Sequence, residues 1–157
     1  MRLPRGFTLV ELLILLTILG VLLTLGMGYL RSDRLAVNQA AQSLAAQITR
    51  ARLEAIRRNA FVGLQFSTAG AGGYTLFVDA NRNGSYDTGD TAIQSITFGQ
   101  GDWGQVRLQS VSGASTLVFD PRGIAQALNA TTVTLSNRAG TYSKQVQISP
   151  QGRASVQ

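Results

Sequence analysis

A long apolar segment near the N-terminus constrains the fold of this chain more than any other feature. Residues 7–30 make up 24 positions (30 − 7 + 1), and Glu11 is the one charged side chain among them. At about 1.5 Å per residue, such a helix extends roughly 36 Å, enough to cross a hydrocarbon core of about 30 Å with some tilt. The segment therefore predicts a membrane-spanning helix.

The residues before this segment predict its orientation. Arg2 and Arg5 lie on its N-terminal side, and basic flanking residues favour the cytoplasmic face of a membrane. The N-terminus is therefore expected in the cytoplasm, and the bulk of the chain is expected outside it.

A small residue, Gly6, precedes the apolar segment. A secretory signal peptide has its cleavage site after the apolar core, so cleavage removes that core. Cleavage after Gly6 would instead retain the core and leave Phe7 as the first residue, with Glu11 as the fifth. This arrangement resembles the N-terminal motif of type IV prepilins, in which residues 1–6 correspond to a short basic leader.

The resemblance to prepilins implies processing steps and partners. Prepilin peptidase would cleave between Gly6 and Phe7, and the new amino terminus of Phe7 would be methylated. Glu11 would pair with that amino group in a neighbouring pilin or pseudopilin subunit and so guide assembly. The expected location is the bacterial inner membrane, which the chain crosses once, and afterwards a pilus or pseudopilus.

Glu11 also needs a partner on physical grounds. A carboxylate within an apolar span is costly unless it is protonated or paired. Pairing with an amino group would relieve two desolvated charges and select the register between subunits. The alternative is a side chain that extends to the membrane surface without a partner.

The remainder of the chain predicts an α+β fold. Apolar residues in 31–58 recur at spacings of three and four, which is typical of an amphipathic helix: Val37, Ala41, Leu44, Ile48, Ala51 and Ala55. From residue 59 onward, short alternating runs predict antiparallel strands at 61–66, 74–78, 93–98, 106–108, 116–119, 132–135 and 145–148. One long N-terminal helix, half transmembrane and half amphipathic, is expected to pack on a β-rich antiparallel domain.

Two segments of the β-rich part carry a further resemblance. Residues 119–123, Phe-Asp-Pro-Arg-Gly, and residues 148–153, Ile-Ser-Pro-Gln-Gly-Arg, are similar to segments of the GspH/FimT family of minor pseudopilins. The resemblance implies the lollipop plan of pilins. The predicted organisation is a leader (1–6), a transmembrane and filament-core helix (7–30), an amphipathic helix (31–58) and a globular pilin domain (59–157).

Residues 79–90 have the spacing of a calcium-binding loop. Gly84 takes the sharp-turn position, while position 12 is an aspartate instead of the usual glutamate. Because a tight hairpin also selects Asn, Asp and Gly, the sequence leaves open both a Ca²⁺ site and a metal-free hairpin. Ca²⁺ is the one cofactor considered, and its candidate ligands are Asp79, Asn81, Asn83, Ser85, Asp87 and Asp90.

Basic residues remain in excess after the predicted cleavage. Removal of Arg2 and Arg5 leaves 12 basic against 8 acidic residues, a net charge of +4. Most of the basic residues are arginines, which bind phosphate through two parallel hydrogen bonds. Arg138 and Arg153, both in late turns, are the first candidates for DNA contacts. Dispersed arginines that only solvate the surface are the alternative.

The composition restricts the class of function. The chain has no cysteine and no histidine, which excludes disulfides, thiolate or imidazole metal sites and histidine acid–base chemistry. The sequence predicts no enzyme but a minor pilin or pseudopilin that initiates or caps a type IV pilus or a type II secretion pseudopilus. The alternative is a pilus-associated subunit that binds DNA for uptake in natural transformation.

Overall fold

The computed structural model describes residues 8–29, 32–126 and 129–157, with the side chains of 24–29 and 32 left out of the description. The chain divides into two compact units, Met1–Ser32 and Asp33–Gln157. Residues 30 and 31, through which one long helix would be continuous, lie outside the described part, as do Gly6 and Phe7.

Helix α1, Leu9–Tyr29, belongs to the first unit. Its leucine, isoleucine and valine side chains from Leu9 to Leu23 are exposed on every side of the helix. Within the residues that the structure describes, no helix combines the length and the apolarity needed to cross a membrane. The predicted span, residues 7–30, begins and ends outside those residues.

Helix α2, Ser32–Arg58, carries the predicted apolar stripe on its buried face. The stripe is buried because small alanines alternate with larger side chains at helical spacing, which lets the helix approach the sheets closely. On its exposed face, Glu54 binds Arg58 at 2.7 Å and Arg57 at 2.7 Å. The buried stripe consists of Val37, Ala40, Ala41, Leu44, Ile48, Ala51 and Ala55.

Eight strands form two four-stranded antiparallel sheets. Their bounds are β1 Val62–Ser67, β2 Gly73–Val78, β3 Thr91–Thr97, β4 Val106–Ser112, β5 Thr116–Phe119, β6 Thr131–Asn137, β7 Ser143–Ile148 and β8 Ala154–Val156. Sheet A has the order β3-β2-β1-β5, and sheet B has the order β4-β6-β7-β8. The predicted α+β class, with helical N-terminal residues and an antiparallel β-rich domain, is confirmed.

One apolar core joins α2 to the inner faces of both sheets. Leu44 and Ile48 of the helix lie in the same buried cluster as Leu64 of sheet A and Leu135 of sheet B. Each such side chain stabilises the fold by about 1.5–3 kcal/mol through removal from water. The outer faces of the two sheets therefore point away from the core.

Sheet B differs from the prediction in two places. β4 extends to Ser112 because a bulge between Leu108 and Ser110 restores the alternation that is broken in the sequence. β8 was not predicted, since its three residues are too few to show a period. Pro150 and Gly152, the latter at φ 75°, form the turn that returns the chain to pair with β7.

A group of polar contacts joins the start of α2 to the end of sheet B where β6 turns into β7. The side-chain amide of Asn137 donates to Asp33 at 2.9 Å and to Thr141 at 2.9 Å. The Tyr142 hydroxyl donates to Asn38 at 2.8 Å, and the Arg34 guanidinium lies 5.4 Å from the centre of the Tyr142 ring. The turn between β6 and β7 therefore lies at the N-terminal end of α2.

Candidate functional site

Glu11 lies in the first turn of α1, where it closes a capping box with Thr8. The Thr8 backbone N–H donates to the Glu11 carboxylate at 2.9 Å, and the Thr8 hydroxyl donates to the same oxygen at 3.0 Å. In return, the Glu11 N–H donates to the Thr8 hydroxyl oxygen at 3.3 Å. These bonds satisfy backbone donors that the first turn of a helix leaves unpaired.

Thr8 is a residue of this motif that the sequence analysis missed. The pattern Thr-x-x-Glu at residues 8–11 is the sequence signature of a capping box and was readable without a structure. The predicted partner of Glu11, the amino group of a neighbour's Phe7, lies outside the described residues. Glu11 therefore has a role within its own helix, and its pairing between subunits stays a prediction.

The loop of residues 79–90 is closed by its own hydrogen bonds. The buried Asp79 carboxylate accepts from the N–H groups of Asn83 at 3.2 Å and Gly84 at 2.9 Å. Asp90 accepts from the N–H groups of Ala80 at 2.9 Å and Asp87 at 3.0 Å. Asp79 thus holds the middle of the loop, and Asp90 joins its two ends.

Asp87 is the centre of the polar side chains in this loop. One of its oxygens accepts from the amide nitrogens of Asn81 at 2.8 Å and Asn83 at 2.6 Å, and the other accepts from the Gly89 N–H at 2.8 Å. The Gly89 N–H, followed by the two amides, lowers the pKa of the Asp87 carboxyl. The bonds therefore stabilise the ionised form of Asp87.

The geometry of the loop bears on the calcium hypothesis through the orientation of the amides. Asn81 and Asn83 direct nitrogen toward Asp87, whereas Ca²⁺ would need their oxygens, and those oxygens accept N–H groups two residues ahead. Across the described part of the chain, no three acidic side chains are grouped as metal ligands. The hydrogen bonds fit a metal-free hairpin, and the calcium site stays a prediction.

Arg138 and Arg153, the candidate DNA contacts, do not lie together. Arg138 follows β6 at the start of the turn into β7, and its N–H donates to Gln105 at 2.9 Å. Arg153 ends the turn between β7 and β8, where its N–H donates to the Ser149 hydroxyl at 3.2 Å. The two turns lie at opposite ends of β7, about 17–20 Å apart for a strand of this length.

The surface between these two arginines has a distinctive composition. Strand register places three rows of side chains on the outer face of sheet B, opposite the buried valines and leucines. The rows are Arg107, Ser136 and Ser143; Ser110, Thr134 and Gln145; and Ser112, Thr132, Gln147 and Ser155. We call these residues the sheet B face.

The sheet B face contains no carboxylate. Asp120 is the last acidic residue of the sequence, and β4, the one strand of sheet B before it, has none either. Among the described residues, the ion pairs join Glu54 to Arg57 and Arg58, and Asp120 to Arg122. None of these ion pairs includes an arginine of sheet B. The lack of acidic residues after Asp120 was readable from the sequence. The strand order was needed to show that the strands without acidic residues form one sheet.

Two matches to known families decide the classification. Residues 40–152 match the family described as "Type II transport protein GspH", and residues 1–27 match the "Prokaryotic N-terminal methylation motif". This chain belongs to the GspH family. The GspH match covers most of α2 and nearly all of both sheets, so the predicted resemblance is confirmed.

Relatives and solved structures agree with this membership. The chain is 56% identical over 157 residues, covering 98% of each chain, to "Pilin-like protein PilA1" of Thermus thermophilus. The type IV minor pilin FimU of Pseudomonas aeruginosa has a similar fold, with a TM-score of 0.55 and 16% identity over 80% of this chain and 91% of FimU.

A second solved structure has the same fold. The minor pseudopilin EpsH of the Type 2 Secretion System of Vibrio cholerae gives a TM-score of 0.50 with 14% identity, over 77% of this chain and 95% of EpsH. At such low identity, the likeness to FimU and EpsH shows the fold alone. The family membership rests on the GspH match and on the 56% identity to the pilin-like Thermus relative.

Proposed function

We propose that this GspH-family chain is a minor subunit that initiates or caps a helical filament. Prepilin peptidase cleaves it between Gly6 and Phe7, and the mature amino terminus is methylated. The observation that carries this proposal is the methylation motif at residues 1–27, followed along the chain by the GspH match at 40–152. An anchor segment and an assembly domain then occur in the order that a pilin requires.

Before assembly, the chain is anchored in the inner membrane. Support comes from α1, whose apolar side chains from Leu9 to Leu23 are exposed on every side and need an apolar environment. Arg2 and Arg5 keep the N-terminus in the cytoplasm, and the domain with the two sheets lies outside it.

The filament is a type IV pilus or a type II secretion pseudopilus. The name of the pilin-like Thermus relative, which is 56% identical over nearly its whole length, supports the pilus. The family description, with its reference to type II transport, supports the pseudopilus. Loss of pili or loss of protein secretion in a strain that lacks this gene distinguishes the two machines.

The role of Glu11 in assembly is tested with two matched variants. Glu11→Gln keeps the capping box, because glutamine accepts the same bonds, but it removes the charge. Thr8→Ala removes the capping hydroxyl and keeps the charge. We expect normal processing of both variants and at least a tenfold loss of filament incorporation in Glu11→Gln alone, measured by immunoblots of sheared filaments.

Each alternative outcome has a distinct meaning. A loss of incorporation in Thr8→Ala alone would indicate that Glu11 acts by capping α1 and would contradict pairing between subunits. Normal incorporation of Glu11→Gln would contradict any role for its charge. An uncleaved wild-type chain in a strain with active prepilin peptidase would contradict the processing step itself.

The second candidate function is capture of DNA for uptake in natural transformation. The sheet B face supports it, because a surface with arginine, hydroxyl and amide groups and no carboxylate favours a polyanion. This function is compatible with the first, since a minor subunit of a pilus presents its β-rich domain outside the cell.

A further inference from the structure

We propose that the sheet B face is the surface that binds DNA, and that it holds the phosphate backbone of duplex DNA through an anchor formed by Arg107 and Ser136. The inference rests on the DNA-capture candidate and assigns its site. It replaces two isolated arginines with one continuous surface, bordered by Arg138 at one end of β7 and Arg153 at the other.

The anchor is built by strand pairing. Arg107 and Ser136 are directly opposite each other in the β4–β6 ladder, so both side chains rise from the same row of the outer face. They line a concavity of about 280 Å³ that also includes Gln109 and Gly140. Arginine in such a recess presents its planar donors to an anion.

Ser136 provides independent support for a bound group. The residue is 1% exposed, and within the described part of the chain its hydroxyl oxygen has no hydrogen-bond partner. An unpaired buried hydroxyl is unusual, because it loses its bonds to water without compensation. A phosphate oxygen held by Arg107 in the same recess would accept a hydrogen bond from the Ser136 hydroxyl.

A second recess lies at the opposite end of the face. Its volume is about 520 Å³, and its lining includes Arg153, Thr132, Gln147 and Ser155. Gln147 is held in place by two side-chain bonds to Gln157, at 3.2 and 3.0 Å. The face thus has an arginine with hydroxyl or amide donors at each end, as contacts to two separated phosphates require.

The chemistry of the face favours duplex DNA over single-stranded DNA. Guanidinium, hydroxyl and amide groups are the donors that contact phosphate oxygens of a duplex. Single strands are usually held by aromatic side chains that stack on bases, and the three rows contain none. On the outer face, Arg107, Ser110 and Gln145 are open to solvent, whereas Ser136 is buried beside Arg107.

The test uses the processed full-length chain in a neutral detergent and a fluorescent 30-base-pair mixed-sequence duplex, with anisotropy measured over a salt series. Arg107→Gln with Arg153→Gln removes one arginine from each recess. The matched control, Arg52→Gln with Arg57→Gln, removes the same charge from α2. We expect the face variant to weaken binding roughly tenfold and to reduce the salt slope by about 2, and the control to change little.

Two single substitutions refine the assignment. Gln145→Glu puts a carboxylate in the middle of the face at constant shape, and Gln42→Glu makes the same change on α2; only the first should weaken binding. Ser136→Ala should leave the thermal midpoint unchanged or raise it, because the hydroxyl has no partner. It should nevertheless weaken DNA binding severalfold.

The outcomes separate the site from the function. Wild-type binding that the face and control variants weaken equally would overturn this inference and leave DNA capture standing. No wild-type binding at low salt would overturn both and leave the role in filament assembly untouched. Binding of heparin, but not of the duplex, through the same residues would overturn the assignment to DNA.

Discussion

Gly63 lies in the middle of β1, where glycine weakens a strand by its backbone freedom and its lack of a side chain to pack. Its cross-strand neighbours on the outer face of sheet A are Phe77 and Val118. The Phe77 ring covers the glycine, and a Cβ there would approach the ring to 2.4 Å. Tyr86 of the loop then packs on Phe77 with ring centroids 5.3 Å apart.

Gly63→Ala should therefore destabilise the fold by about 1–3 kcal/mol, because the buried ring has no room to move beneath Tyr86. Urea unfolding of the variant measures this loss. Phe77→Leu opens space at the same point, so the double variant should lose less than the sum of the single losses. Strict additivity would show that the glycine and the ring do not interact.

At the scale of elements, the loop of residues 79–90 acts as a cover for sheet A. Tyr86 packs its ring on Phe77, and the Tyr86 backbone N–H donates to the Gln65 side chain at 2.9 Å. Arg82 lies over the Phe61 ring at 5.1 Å from its centre. The acidic and amide residues close the loop, and the closed loop holds two side chains against the sheet.

Asp79→Ala should lower the thermal midpoint equally in calcium and in chelator. The substitution removes the buried acceptor of two backbone N–H groups, at a cost of about 1–3 kcal/mol in either solution. The thermal midpoint is measured in about 1 mM calcium, which would saturate a weak extracellular site, and again in excess EGTA. Asp102→Ala, at an exposed carboxylate, is the control. A wild-type midpoint that rises with calcium, together with loss of that rise in Asp79→Ala, would establish the calcium site.

Elements with a long enough pattern were predictable from the sequence. The stripe of α2 needs only its own period, and the run from Thr116 to Phe119 consists of β-branched and apolar residues that favour a short strand. The cover over Gly63 was not predictable, because its partners meet only through the pairing of β1 with β2 and the path of the loop. The sheet B face needed strand order for the same reason, although the lack of acidic residues after Asp120 was visible.

At the scale of the whole molecule, charges are divided between regions. In the unit Asp33–Gln157, the acidic residues lie in helices, loops and turns, where several hold backbone N–H groups or arginines in place. Sheet B carries only basic charges. A fall in pH therefore removes structural bonds from one part of the domain and leaves the positive charge of the other uncompensated.

This division of charge predicts that the fold loses stability in acid and that its stability does not depend on pH near neutrality. The Ile124 N–H, with Arg122, lowers the pKa of the Asp120 carboxyl; Arg58 and Arg57 lower that of Glu54. A lowered folded pKa contributes stability that is complete above the unfolded value and is lost as pH falls through the folded value. The urea midpoint should thus be constant between about pH 7 and 5, since the chain has no histidine, and fall below about pH 4.

Urea unfolding of the full-length chain at constant ionic strength tests this dependence, with Asp120→Asn as the matched variant. Asparagine still accepts from the N–H of Ile124 or Arg122 but has no proton to gain, so the acid slope of the variant should be shallower while its midpoint at pH 7 is lower. A midpoint that already falls between pH 7 and 5 would point to a group other than these carboxylates. Parallel curves for the variant and the wild type would show that Asp120 does not contribute to the loss in acid.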